Sequence, residues 1–120
     1  MPILTLPAVS AEADSYFLPT DKLLSGNPRQ TVRMHYTDPT KQFFVGEWES
    51  EVGKWRIHYT EEEYCRMLEG VSVITDEHGC AVTVAAGDSF VIPRGFVGSW
   101  EVLEPTRKTF VIYESDYSGE

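Results

Sequence analysis

The chain has 120 residues, 42% of them hydrophobic, which is one domain's worth and enough to bury a core without disulfides or a structural metal. Ten Lys and Arg stand against 19 Asp and Glu, a net charge of -9 that repels nucleic-acid backbones and anionic lipid surfaces, so no nucleic acid and no membrane is expected as a partner. Two cysteines, Cys65 and Cys80, are too few for a secreted disulfide framework and point to a reducing, cytoplasmic setting.

The stretch Met1 to Ser10 has no basic residue ahead of its apolar part and is interrupted by Pro2 and Pro7, unlike a signal peptide, and no run is long enough to span a bilayer. Residues 1–28 are frequent in Pro, Ser and Ala and read as an N-terminal arm wrapping the domain. One helical turn is expected there, over Asp21 to Ser25, capped by Thr20 or Asp21 and stopped by Gly26. Residues 29–114 carry short stretches of Val, Ile, Phe, Tyr and Trp between turn signals, with no sustained helical period, which predicts an all-β barrel or sandwich. Its strands are expected at Gln30 to Tyr36, Phe43 to Glu49, Trp55 to Tyr59, Glu63 to Ile74, Ala81 to Val84, Ser89 to Ile92, Ser99 to Leu103 and Lys108 to Tyr113. Asp76-Glu77-His78-Gly79, Gly87-Asp88 and Pro93-Arg94-Gly95 supply the corners. Residues 115–120 are small and polar and are expected to form a frayed tail. The alternating strand Gln30 to Tyr36 leaves a sheet edge open, and closure of that edge by a symmetry mate predicts a homodimer.

Two blocks stand out, one running from Gly53 through Arg56, His58, Glu63, Cys65 and Met67 to Gly70, the other from Gly87 through Pro93, Gly95 and Gly98 to Trp100. Their glycines permit tight corners between strands, and the proline fits only where no ladder hydrogen bond is required. Glu63 stands ahead of Gly70, and Gly87 is followed after five residues by Pro93-Arg94-Gly95. In these features the chain resembles the cupin superfamily, over about Phe43 to Tyr113. More narrowly, Glu-Tyr-Cys-Arg-Met-Leu-Glu-Gly, Pro-Arg-Gly-Phe-Val-Gly-Ser-Trp-Glu-Val and Arg107-Lys108 are similar to small cupins grouped with the (S)-ureidoglycine aminohydrolase cupin domain.

The resemblance implies an RmlC-like jelly-roll barrel, a double-stranded β-helix, and an interior metal site of two histidines and a carboxylate from the first motif and a histidine from the second. Those positions carry Arg56, His58, Glu63 and Gly98 here. An arginine has no lone pair to give and Gly98 has no side chain, so only His58 and Glu63 remain as metal ligands. No cofactor is therefore expected, and a divalent metal such as manganese, nickel, zinc or iron would need donors from elsewhere. Period-two alternation puts Arg56 and His58 on one face of their strand and Glu63, Cys65 and Met67 on one face of the next, with Trp100 beyond Gly98.

If those faces point inward, the pocket holds Arg56, Cys65, Met67 and Trp100 as ligand-binding groups, Gly98 leaves room for the ligand, and Glu63 with His58 forms a candidate catalytic pair. Each residue has a plainer reading: an internal Arg56–Glu63 ion pair, a hydrogen-bonded surface His58, and Cys65 as a small core hydrophobe. Two functions stay open. One is a module that binds a small polar or anionic metabolite with a degenerate metal-ligand set, and the other is a small-molecule enzyme, hydrolase-like or isomerase/lyase-like, using Glu63 and His58. A scaffold whose surface carries the function ranks behind both.

Overall fold

The computed structural model describes residues 2–6 and 12–115. Among the described residues nine antiparallel strands run in chain order: β1 (Ala13–Tyr16), β2 (Leu23–Ser25), β3 (Gln30–Thr37), β4 (Phe43–Ser50), β5 (Gly53–His58), β6 (Glu62–Asp76), β7 (Ala81–Ala85), β8 (Ser89–Ile92) and β9 (Val97–Tyr113). Their registers resolve into two layers that share the two long strands. The first is β1-β3-β4, then residues 106–113 of β9, residues 62–69 of β6, and β8. The second is β2-β5, then residues 97–102 of β9, residues 71–76 of β6, and β7. This is the jelly roll expected from the sequence.

The two strands expected at 99–103 and 108–113 are one strand. Pro105 separates them in sequence but has no registered partner, because there β9 leaves β5 as its neighbour and takes up β4. A residue without an N–H costs nothing at such a handover. Across from it, β6 shifts register around Gly70. Gly70 has φ +88°, and a Cβ added there would lie 2.2 Å from the Pro105 carbonyl oxygen, so glycine is required for both conformation and space. Buried Ser72 and Thr106 join their hydroxyls at 2.8 Å beside this corner.

The arm departs from its expected form. Only Thr20–Lys22 makes a 3-10 turn, without a side-chain cap, and residues 23–25 are strand rather than helix. Leu23 pairs with Trp55 and packs against the core, a tertiary gain that outweighs a weak local preference. The first arm strand, β1, pairs with residues 30–33 of β3 and covers that half of the edge from its own chain. The open edge that motivated the homodimer is thus reduced to the rest of β3. The corner residues behave as read: Asp76 accepts from the His78 and Cys80 amides, and Asp88 accepts from the Ala85 amide. The expected tail lies outside the described residues from 116 onward. No described helix is long and apolar enough to cross a membrane.

Between the layers, Trp55, Met67, Ile74, Val84, Ile92, Trp100 and Val102 form the buried core, with Trp48, Phe90 and Phe96 packed against it. The tryptophans meet edge to face, Trp48 lying 5.3 Å from Trp100 and 6.1 Å from Trp55.

Candidate functional site

Side-chain parity along β9 decides what faces inward. Trp100 and Val102 are buried, and the alternation continues through Thr106, Lys108 and Phe110. A lysine is thereby carried into the interior. Lys108 pairs in register with Met67, next to Cys65 and Glu63 on the inner face of β6. Its ammonium donates to Glu63 Oε2 at 3.0 Å and to Cys65 Sγ at 3.3 Å. The same nitrogen lies 4.4 Å from the centre of the Trp100 ring and 4.9 Å from that of Trp48, so two indole faces complete its shell. Glu63 accepts at its other oxygen from the Tyr59 hydroxyl, 2.6 Å away. Trp48 is fixed in turn: its Nε1 donates to Gln30 Oε1 at 2.7 Å, and Gln30 Nε2 donates to Ser50 Oγ at 2.8 Å. The indole N–H of Trp100 is buried with no acceptor among the described residues.

The protonation of this cluster follows from its surroundings. Burial acts to lower the Lys108 ammonium, but the Glu63 carboxylate and the Cys65 sulfur outweigh it and hold Lys108 above its ordinary value. Burial pushes the Cys65 thiol up to about 12, against the pull of Lys108. Tyr59 is held well above the usual phenol value, by burial first and by Glu63 next. Near neutral pH the cluster is an ammonium, a thiol and a phenol arranged on one carboxylate.

This cluster forms one wall of a cavity of about 290 Å³, whose lining includes Trp48, Trp55, Trp100, Tyr16, Ile57 and Met34. A larger hollow of about 370 Å³ lies on the outer side between Arg29, Glu51, Glu69 and Arg107. Charges there are spent on one another, as in the 2.8 Å Arg107–Glu69 pair. The chemically distinctive groups are in the inner cavity.

The sequence-derived site is divided by the barrel wall. Glu63, Cys65, Met67 and Trp100 are buried and face inward together. Arg56 and His58 are exposed on the outer face, beside a hollow of about 200 Å³ that they share with Lys22 and Glu61. Arg56 donates to the Asp21 carbonyl at 3.3 Å and makes no contact with Glu63. The inward residues of β5 and its continuation are Trp55, Ile57 and Tyr59, so the Arg56–Glu63 and His58–Glu63 pairings do not form. The apolar Trp55 already set this parity, whereas the motif alignment had chosen the opposite face. Gly98 does not open space for a ligand either. A Cβ on it would lie 1.9 Å from the Thr75 carbonyl oxygen, so the position is a point of close contact between β9 and β6.

Sequence reasoning missed Lys108 and Tyr59. Dividing β9 at Pro105 broke the parity that leads from Trp100 to Lys108, and the choice of Arg56 and His58 excluded Tyr59.

The interior does not fit the metal that the fold family can hold. The inward positions offer Ile57, Tyr59, Glu63 and Gly98, with one carboxylate among them, and that carboxylate is bonded to an ammonium. Among the described residues no group of three or more His, Cys, Asp or Glu is placed to hold a metal ion. A divalent cation beside Glu63 would displace or repel Lys108.

Comparison with known proteins fits this architecture. No curated protein matches the chain. Among solved structures it is similar to the EutQ protein of Clostridium difficile, with 20% identity over 85% of this chain and 82% of that one and a TM-score of 0.67. It is also similar to a DUF861 family protein from Pseudomonas syringae, with 20% identity and a TM-score of 0.77 over 86% of this chain, which spans only 45% of that longer protein. A DUF861 family protein from Thermotoga maritima is 38% identical over 53% of this chain and 73% of that one, with a TM-score of 0.52. The model of the EutQ-like cupin domain matches residues 37–110, from the end of β3 through the strands that carry Glu63 and Lys108. On that match, which takes in both long strands and more than half of the sequence, the chain belongs to the EutQ-like cupin domain family.

Proposed function

We propose that this protein binds a small polar molecule in the inner cavity, with the Lys108–Glu63 pair recognising its polar group and the tryptophans enclosing its body. The observation that carries this reading is the buried ion pair itself. A packed core gains nothing from an ammonium and a carboxylate that apolar residues could replace, whereas a cavity of about 290 Å³ beside them gives the pair something to recognise. Lys108 keeps one N–H beyond its bonds to Glu63 and Cys65, a donor for a carboxylate, carbonyl or hydroxyl oxygen. The reading needs no metal, and it replaces Arg56 with Lys108 as the anchoring cation. The two unpaired cysteines, one buried and one exposed, support a cytoplasmic setting.

The enzyme reading, in the manner of the ureidoglycine aminohydrolase cupin domain, ranks second, because both Glu63 oxygens already accept hydrogen bonds, from Tyr59 and from Lys108, which weakens the carboxylate as a base. In it Glu63 is the base and Lys108 steadies developing negative charge, with no part for His58 on the outer face.

The test is fluorine NMR on protein labelled with 5-fluorotryptophan, with glycolate, succinate and acetamide as probes, after elemental analysis of the tag-free protein. Binding is expected to move the resonances of the three tryptophans that line the cavity, in protein without bound metal. Absence of any movement at millimolar probe refutes the cavity as a binding site for small polar molecules, and near-stoichiometric metal retained through purification refutes the metal-free account.

A further inference from the structure

At one place the chain gathers cations against its own average. With 19 acidic residues to 10 Lys and Arg, a surface cation ordinarily finds a carboxylate nearby. Around the hollow of about 200 Å³ beside β5 it does not. Lys22, Arg56 and His58 line that hollow, all three exposed, and among the described residues no carboxylate forms an ion pair with any of them. Asp21 offers Arg56 its main-chain carbonyl, which holds the guanidinium at 3.3 Å and leaves it four of its five N–H donors. Glu61, the carboxylate in the lining, accepts instead from the Thr60 amide at 3.0 Å.

The backbone sets these groups around an open strand edge. The Tyr59 amide donates to the Phe96 carbonyl, and the Tyr59 carbonyl accepts from the Gly95 amide. Successive peptide groups of an antiparallel strand point to opposite edges, so the His58 amide faces away from β9. On that edge β2 is registered only with Lys54 and Trp55, and the 3-10 turn carrying Lys22 packs against β5 beside them. Leu18 and Ile57 give the hollow an apolar side.

We infer that this hollow binds the phosphate group of a small phosphate monoester. Arg56 supplies a planar fork that matches two phosphate oxygens, Lys22 a point charge, and His58 a ring N–H beside its amide. Two fixed positive charges suit a phosphate monoester, which carries about -1.5 to -2 near neutral pH, better than a lone carboxylate, which would satisfy only one of them. Leu18 and Ile57 receive the organic part of the ester. A positive hollow on a chain of charge -9 draws an anion to this edge while the rest of the surface turns it away. The site shares Leu18 and Ile57 with the inner cavity but none of the polar groups that act there, so it stands or falls apart from the metabolite reading.

NMR of the histidine rings tests this, because the chain has only His35, His58 and His78, and His58→Gln assigns the signals of interest. Inorganic phosphate and phenyl phosphate are titrated near neutral pH at constant ionic strength. Both are expected to move the His58 resonances saturably, phenyl phosphate with the lower dissociation constant, while His35 and His78 stay in place. Lys22→Gln and Arg56→Gln, exposed changes that leave the core untouched, are each expected to raise that constant at least about fivefold. Parental resonances of His35, whose side chain is only 5% exposed, show that the variants are folded. Absence of saturable movement with either phosphate overturns the inference, as does an equal movement with sodium chloride or parental affinity in either variant. A dissociation constant for phenyl phosphate no lower than that for inorganic phosphate overturns the monoester as the ligand class.

Discussion

Removing the Lys108 ammonium is the most direct probe of the interior. At 3.0 Å and an effective dielectric of about 20, its attraction to Glu63 amounts to about 5 to 6 kcal/mol, before the cost of taking both charges out of water. Both side chains are only 5% exposed, so solvent does little to relieve whichever charge is left alone. Lys108→Met keeps the length and apolar stem but leaves the buried Glu63 carboxylate without its cation, held by the Tyr59 hydroxyl. The expected loss is about 3–5 kcal/mol, seen as a lower urea midpoint with an unchanged slope and as a fall in Tm of roughly 12–20 °C. Replacing both members, Lys108→Met with Glu63→Leu, is expected to restore stability to within about 1 kcal/mol of the parent. Tryptophan fluorescence follows the transition, since Lys108 touches Trp48 and Trp100. A single substitution that costs under about 1 kcal/mol, or a double variant whose loss is the sum of the single losses, refutes the coupling of the two charges.

Two further outcomes are expected. Burial holds the Cys65 thiol at about 12 against an ordinary 9.0, so above pH 9 the native chain keeps a proton that the unfolded chain releases. Stability should be complete below pH 9 and decline toward pH 12 by up to about 4 kcal/mol, with Tyr59 and Lys108 adding to the decline at higher pH; urea titrations should show Cys65→Ala flattening its first part. Gly98→Ala should cost at least about 3 kcal/mol in urea denaturation, because its Cβ would strike the Thr75 carbonyl and the backbone on both sides is tied into ladders; parental stability would show that β6 and β9 are not in such close contact.

The fold was legible because its signals are local and repeated. Asp76 and Asp88 stand where the chain must turn, and apolar runs of strand length separate them, so the strands from Gln30 to Ile92 emerge within a few residues of their bounds. The site was less legible for a reason of parity. In a β-strand a choice of face is a choice of one bit, and an error in it moves every side chain to the other surface. The residues Arg56 and His58 look chemical, while Trp55, Ile57 and Tyr59 look like packing, and the cavity is lined by the latter. At Lys108 both faces of β9 carry apolar residues, with Phe110 and Ile112 inside and Val111 and Tyr113 outside. Hydrophobicity alone could not tell the two faces apart there.

The handover at Gly70 and Pro105 also dictates when the molecule can form. Because β9 is the neighbour of β4 in one layer, of β5 in the other and of β6 in both, each layer lacks its centre until β9 is present. A chain emerging from the ribosome can close the β3–β4 and β6–β7 hairpins early, yet neither layer can be completed before the part of β9 it uses has emerged, residues 97–102 for one layer and residues 106–113 for the other. Until then β6 lacks its main neighbour and Glu63 lacks its cation. One late strand thus brings both Trp100 to the core and the ammonium of Lys108 to the buried carboxylate.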